Sequence, residues 1–228
     1  MTGTPAPRPN RGVIIIEDHA LFAESLELTL SHQGYAVRRL PLPEEGGSLA
    51  TVRATALRAN PRIALLDLDL GRFGDGAALI EPLSRAGANV VVITASGDLG
   101  RWGGCIRLGA RKVISKSRPL RETLATVRRL DQGLPVMTSE EVSTLVQHWR
   151  RHREEIEAKR ELLARLTPRE RAVLGQMQQG RTVREIARDS VVSEATVRTQ
   201  VKSILGKFEV SSQLAAVGLA NQVAQASS

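Results

Sequence analysis

The chain is poor in aromatic side chains and almost without cysteine. Phe, Tyr and Trp make up 3% of its 228 residues, against 42% apolar residues in all. Its cores must therefore be built from Leu, Val, Ile and Ala. Cys105 is the only cysteine. An intrachain disulfide is excluded, a structural zinc site is unsupported, and a reducing, cytoplasmic setting is expected. No apolar run approaches the roughly 20 residues that cross a bilayer, so no membrane partner is expected. Met1 to Arg11 contains Pro and polar residues without an apolar signal core, and reads as a disordered lead-in. Charge of one sign is also not concentrated. The net charge of +8 suggests a polyanionic partner. Yet residues 1–138 carry 18 basic and 13 acidic residues, and residues 139–228 carry 14 and 11. The excess is spread over both parts and locates no nucleic-acid surface.

What the sequence does have is a set of short apolar runs with polar ends. Val13-Ile14-Ile15-Ile16 stops at Glu17-Asp18, and Ile63-Ala64-Leu65-Leu66 stops at Asp67. Val90-Val91-Val92-Ile93 stops at Thr94, and Val113-Ile114 leads through Ser115 to Lys116. Continuous apolar runs of this length read as strands buried on both faces of a parallel sheet. A short strand around Ala36-Val37 joins them. Helical patterns alternate with the strands at Ala20 to Ser31, Leu49 to Leu57, Ala77 to Leu83, Gly97 to Leu108 and Leu120 to Leu130. The first has Leu21, Phe22, Leu26 and Leu30 on its apolar side. Such alternation implies right-handed crossovers and an α/β doubly wound five-stranded sheet, with expected strand order 2-1-3-4-5.

In sheets of this kind the ligand site lies beyond the carboxyl ends of the strands. Glu17, Asp18, Asp67, Thr94 and Lys116 should therefore meet at one edge. Three carboxylates together are costly unless a cation neutralises them, and Mg²⁺ prefers oxygen ligands. A carboxylate can also attack phosphorus and form an aspartyl-phosphate. Asp67 is the expected nucleophile because it ends the middle strand. Lys116 and the Thr94 hydroxyl would hold the phosphoryl oxygens.

Residues 139 to 165 lack Gly and Pro and are rich in Glu, Arg and Leu, so a helical linker is predicted. Val142, Leu145, Trp149, His152, Ile156, Lys159, Leu163 and Leu166 recur at spacings of three and four. That is a heptad seam interrupted by His152 and Lys159. It suits either a helix packed on its own domains or a parallel dimer contact through Leu145, Trp149, Ile156 and Leu163.

The last third opens with Leu166-Thr167-Pro168-Arg169-Glu170-Arg171. Thr167 suits an N-cap, Pro168 the first helical position and Glu170 the capping-box partner. A short helix over Val183 to Asp189 follows. Ser193 can cap a third helix whose buried stripe is Val197, Val201, Ile204, Leu205 and Phe208. Arg198, Thr199 and Lys202 lie off that stripe. A fourth helix is predicted over Gln213 to Val223.

The order and spacing of Glu17-Asp18, Asp67, Thr94 and Lys116 resemble a response-regulator receiver domain, over residues 12–133 with a flavodoxin-like fold. Leu166 onward, with Glu185-Ile186-Ala187 and Ser193-Glu194-Ala195-Thr196-Val197-Arg198, resembles the LuxR-type helix-turn-helix domain of the NarL/FixJ family, over 166–228, with 134–165 as linker. The resemblance implies a transcription factor switched when a sensor histidine kinase phosphorylates Asp67. It implies Mg²⁺ on Glu17, Asp18, Asp67 and the backbone carbonyl of Asp69, with Thr94 and Lys116 around the phosphoryl group. It implies double-stranded DNA as partner, with base contacts from Arg198, Thr199 and Lys202. Phosphate contacts would come from Thr182, Ser193 and Thr196. RNA polymerase and a second copy of the chain are further expected partners, and enzymatic activity beyond self-phosphorylation is not expected.

Five features depart from the family pattern. Gly71 stands where Pro is usual, the loop through Arg72 to Gly76 is a residue longer, and Gln200 and Glu209 replace a common His and Gly. Val113 also occupies a place often held by an inward-swinging Tyr or Phe. Two rival readings follow. One is a regulator whose receiver works without phosphorylation. The other, from Asp67-Leu68-Asp69, is a haloacid-dehalogenase-type phosphatase, but its Asp-x-Asp would follow the first strand.

Overall fold

The structure is a computed structural model and describes residues 12–42 and 46–225; the Met1 to Arg11 lead-in lies outside the described residues. The chain divides into two compact units, up to Arg150 and from Arg151.

In the first unit, β1 (Gly12–Ile16), β2 (Ala36–Arg39), β3 (Ile63–Asp67), β4 (Asn89–Thr94) and β5 (Ala110–Ser115) form one parallel sheet in the order β2-β1-β3-β4-β5. The strands are apolar throughout because both faces are covered. Ile14, Ile16, Ala64, Leu66, Val90 and Val92 enter one core with Val52, Ala56, Ile80, Leu83 and Cys105. The intervening Val13, Ile15, Ile63, Leu65, Val91 and Ile93 enter the other, with Ala23, Leu26, Leu30, Val127 and Leu130. This two-residue alternation puts α1 (Ala20–His32) and α5 (Leu120–Asp131) on one face. The opposite face is covered by α2 (Leu49–Arg58), α3 (Ile80–Arg85) and α4 (Leu99–Arg107).

Three sequence expectations are corrected here. Leu21 is 80% exposed, and Ala23 instead joins Leu26 and Leu30 in the buried stripe of α1. The predicted helix at 77–83 is a 3₁₀ turn, Gly76–Leu79, followed by the short α3. The helix predicted from Gly97 begins at Leu99, because the Asp98 carboxylate caps it by accepting from the Gly100 and Arg101 amides.

A 26-residue helix, α6 (Ser139–Ala164), begins in the first unit and ends in the second. Thr138 and Glu141 start it with a reciprocal cap. In the second unit α7 (Pro168–Gln178), α8 (Val183–Asp189), α9 (Glu194–Phe208) and α10 (Gln213–Gln225) close around Leu174, Ile186, Val197, Ile204 and Ala216. Thr167 and Thr182 each form a complete capping box, with Glu170 and Glu185. Glu170 is 6% exposed and also ties α7 to α9: Ser203 Oγ donates to it at 2.7 Å and Lys207 Nζ at 2.6 Å. The Lys207 ion pair, the Ser203 hydroxyl and the Thr167 donors hold its carboxyl down at about 2.

Candidate functional site

Strand register builds the first site. Ile16 pairs with Leu66, Asp67 with Ile93 and Thr94 with Ser115, so the four strand ends lie side by side. Glu17, Asp18 and Lys116 follow directly. Lys116 Nζ reaches Asp67 Oδ2 at 2.7 Å and Glu17 Oε1 at 2.8 Å. Asp67 and Thr94 are each 2% exposed. The Lys116 amide donates to the Thr94 carbonyl at 2.7 Å, which fixes the base of the lysine beside the threonine. Thr94 Oγ1 accepts from the Ser96 amide at 3.1 Å.

The charges here are matched by contact. Burial pushes the Glu17 carboxyl above its ordinary range, only partly offset by its bond from Lys116. Burial alone would lower Lys116, but the hydrogen bonds and charges of Asp67 and Glu17 outweigh it and hold the ammonium protonated.

One neighbour was not found from sequence. His19 Nδ1 lies 2.9 Å from Asp18 Oδ1 and 3.1 Å from Glu17 Oε1, and its amide donates to Glu17. Glu17, Asp18, His19 and Asp67 each offer a ligand atom, all within 4.8 Å of one another. Only its place directly after the acidic pair hinted at this. Oxygen-rich donors in so small a space suit a hard divalent cation.

Two glycines shape the loop above Asp67. Gly71 has φ +56°, and a Cβ there would stand 3.1 Å from Asp18 Oδ2. Proline, fixed near φ −65°, cannot take that conformation, which accounts for its absence. At Gly76 a Cβ would fall 2.1 Å from the Asp67 carbonyl oxygen, so the returning loop lies against the backbone of Asp67 itself. Asp69 is exposed; its amide donates to Asp67 Oδ1, and its own carboxylate accepts from Gly71.

The second site is an outer helix face. Ser193 Oγ accepts from the Thr196 amide at 3.1 Å and starts α9. Val197, Val201, Ile204 and Phe208 are buried, while Arg198, Thr199 and Lys202 share the exposed side. Arg198 meets Glu194 at 2.9 Å, one turn back. Such exposed pairs are worth about 0.3–0.5 kcal/mol, so the guanidinium is readily given up to a better partner. Thr182, Ser193 and Thr196 sit at the amino ends of α8 and α9, their hydroxyls engaged in capping.

A family model described as the response regulator receiver domain matches residues 13–151, more than half of the chain. The chain belongs to the response regulators. A second model, bacterial regulatory proteins of the luxR family, matches residues 164–220 of the regulator. Among curated proteins, the nitrate/nitrite response regulator NarP of Escherichia coli is 27% identical over 206 residues, 90% of this regulator and 91% of that protein. The nitrate/nitrite response regulator protein homolog of Haemophilus influenzae is 27% identical over 91% of this regulator and 94% of that protein. The transcriptional regulatory protein DesR of Bacillus subtilis is 26% identical over 70% and 73%. The regulator therefore combines a receiver with a LuxR-type DNA-binding domain and regulates transcription. No described helix is long and apolar enough to cross a membrane.

The linker seam does not stand free in one regulator chain. In the first unit Leu145 and Trp149 lie on the α4 glycines Gly103 and Gly104, and Arg107 stacks on Trp149 at 4.0 Å. In the second, Ile156 is 5% exposed and Leu163 packs on the helical core. Of the two arrangements that the seam suits, these contacts are those of a helix packed on its own domains.

Proposed function

We propose that a sensor histidine kinase controls this regulator by phosphorylating Asp67. A carboxylate oxygen of Asp67 attacks phosphorus, the P–N bond of the kinase phosphohistidine breaks, and the imidazole leaves. Glu17, Asp18, Asp67 and the Asp69 carbonyl would hold Mg²⁺. When bound, that ion supplies positive charge against the phosphoryl oxygens. Lys116 is the chain's own countercharge and keeps its ammonium at the nucleophile. The Thr94 hydroxyl, at the adjoining strand end, is the donor on the other side. The observation that carries this reading is Lys116 Nζ bridging Asp67 and Glu17 beside a buried Thr94.

On the output side, α9 enters the major groove, with Arg198, Thr199 and Lys202 reaching bases. Thr182, Ser193 and Thr196 contact phosphates. Two regulator copies would read half-sites about 34 Å, or a multiple, apart. RNA polymerase is the partner through which a bound pair would act on transcription. The test is intact-mass measurement after acetyl phosphate with Mg²⁺, paired with footprinting on DNA selected by the protein from a random pool. One added phosphoryl, absent in Asp67→Asn, and a stronger footprint after phosphorylation are expected. Equal mass gain in Asp67→Asn would sink the assignment.

A further inference from the structure

We propose that Trp102, on α4, reads the state of Asp67 and passes it to α6, standing in for the aromatic side chain missing at Val113. This rests on the phosphorylation reading above.

The connection is a short chain of contacts. Thr94 Oγ1 accepts from the Ser96 amide at 3.1 Å, and the Ser96 carbonyl accepts from Trp102 Nε1 at 2.9 Å. The Ser96 hydroxyl also accepts from the Asp98 amide, and Asp98 caps α4. A Thr94 hydroxyl drawn to a phosphoryl group on Asp67 can no longer hold the Ser96 amide in the same place. The turn that carries the acceptor of Trp102 then shifts.

Trp102 has somewhere to go. It is half-buried and borders a cleft of about 470 Å³, shared with Leu99, Val113, Ile114 and Leu145. Val113 is small and lines the same cleft from β5, across from Trp102 on α4.

What lies across the cleft is the start of α6. The residues after Trp102 are Gly103 and Gly104, and α6 rests on them more closely than any side chain permits. A Cβ on Gly103 would stand 2.0 Å from the Leu145 carbonyl oxygen and 2.8 Å from Trp149 Cβ. One on Gly104 would stand 3.2 Å from the Trp149 indole. A seat this tight does not deform gradually. Movement of Trp102 at its edge favours a different seating of α6.

The chain's two tryptophans are Trp102 and Trp149. Both can be followed by ¹⁹F NMR on full-length protein labelled with 5-fluorotryptophan, assigned with Trp102→Phe and Trp149→Phe. Acetyl phosphate with Mg²⁺ is the probe, and intact mass reports phosphoryl uptake in each sample. Both resonances should move on phosphorylation. In Trp102→Phe the mass gain should persist, while the shift of Trp149 falls at least fivefold. Circular dichroism checks that this variant is folded, and Trp102→Tyr, which keeps a ring and a donor, should restore part of the response. An unmoved Trp102 resonance in phosphorylated protein overturns the proposal. So does a Trp149 shift as large in Trp102→Phe as in the parent. Absence of any mass gain in the parent sinks the phosphorylation reading itself, and this relay with it.

Discussion

The two sites of this regulator are built in opposite ways. At the acidic edge, Glu17, Asp67 and Lys116 come from three strand ends far apart in the chain, and they meet in direct ionic contact. On α9, Arg198, Thr199 and Lys202 lie within five positions of one helix and share its exposed side. The first arrangement exists only if the whole sheet is in register. The second needs only a helix with a cap and a buried stripe. A receiver must hold charge in a fixed place until phosphate arrives. A groove-reading helix must offer its donors to solvent-accessible bases. The difference implies that the acidic edge is fragile to distant backbone changes, whereas the helix face is sensitive mainly to its own side chains.

The severest break is predicted at a residue with no side chain. Gly76→Ala places a methyl group 2.1 Å from the Asp67 carbonyl oxygen, which is backbone and cannot turn away. Overpacking of this kind costs about 1–3 kcal/mol, occasionally more. The first unit should unfold at lower denaturant, and phosphoryl uptake by intact mass should fall sharply, with the second unit's transition unchanged. Full uptake in a stable Gly76→Ala protein would show that the loop has another route past Asp67.

The outward face should respond to truncation without loss of fold. Arg198→Ala with Lys202→Ala is expected to cost about 2–4 kcal/mol of affinity for selected DNA, since a good bidentate base contact is worth about 1–3 kcal/mol. Arg198→Ala should chiefly relax sequence preference. Titrations at several salt concentrations separate this from a general loss of charge. Unchanged affinity in the double variant would remove α9 from the groove.

How much of this was legible beforehand follows the same division. Strand ends and the Thr167–Glu170 capping box could be read because each is set by a run of neighbours in sequence, whereas the second box, Thr182 with Glu185, was not read. Gly76 could not, because what constrains it is the backbone of Asp67 folded back across a loop. Glu170 was legible as a cap but not as the partner of Ser203 and Lys207, which arrive from α9. The heptad seam was legible as a pattern, but its cover was not. A pair of glycines on α4 makes a seat that no periodicity in α6 reveals.

That α7–α9 tie gives an intermediate effect with a pH signature. The Glu170 carboxyl is depressed in the folded protein to about 2, from an ordinary value of 4.5. A depressed carboxyl stabilises the fold above its unfolded pKa, and the stabilisation is lost as pH falls through the folded one. Stability of the second unit should therefore decline between about pH 4.5 and pH 2. Glu170→Gln should cost about 2 kcal/mol at pH 7 and flatten that decline. Denaturant titrations at both pH extremes measure it. An equally steep decline in the variant would assign it to other carboxylates.

The smallest predicted effects are gains, and they sharpen the comparison by testing how local the second unit is. Two of its non-glycine residues have left-handed backbone: Val191 at φ +53° and Glu209 at φ +56°. Val191 ends the turn before α9 and is 90% exposed, so no packing offsets its conformation. Glu209 is the carboxyl-terminal cap of α9. Left-handed geometry costs a residue with a Cβ roughly 1–2 kcal/mol, and most for a β-branched one. Glycine removes that cost but adds chain entropy in the unfolded state. The net gain expected is about 1 kcal/mol for Val191→Gly and less for Glu209→Gly. For a domain of this size 1 kcal/mol raises the melting temperature by about 4–8 °C. Calorimetry should show that rise in the second unit alone, with phosphoryl uptake at Asp67 unaltered. A matching shift in the first unit's transition would mean that the two are not independent, and the contrast drawn between a distributed site and a local one would have to be abandoned.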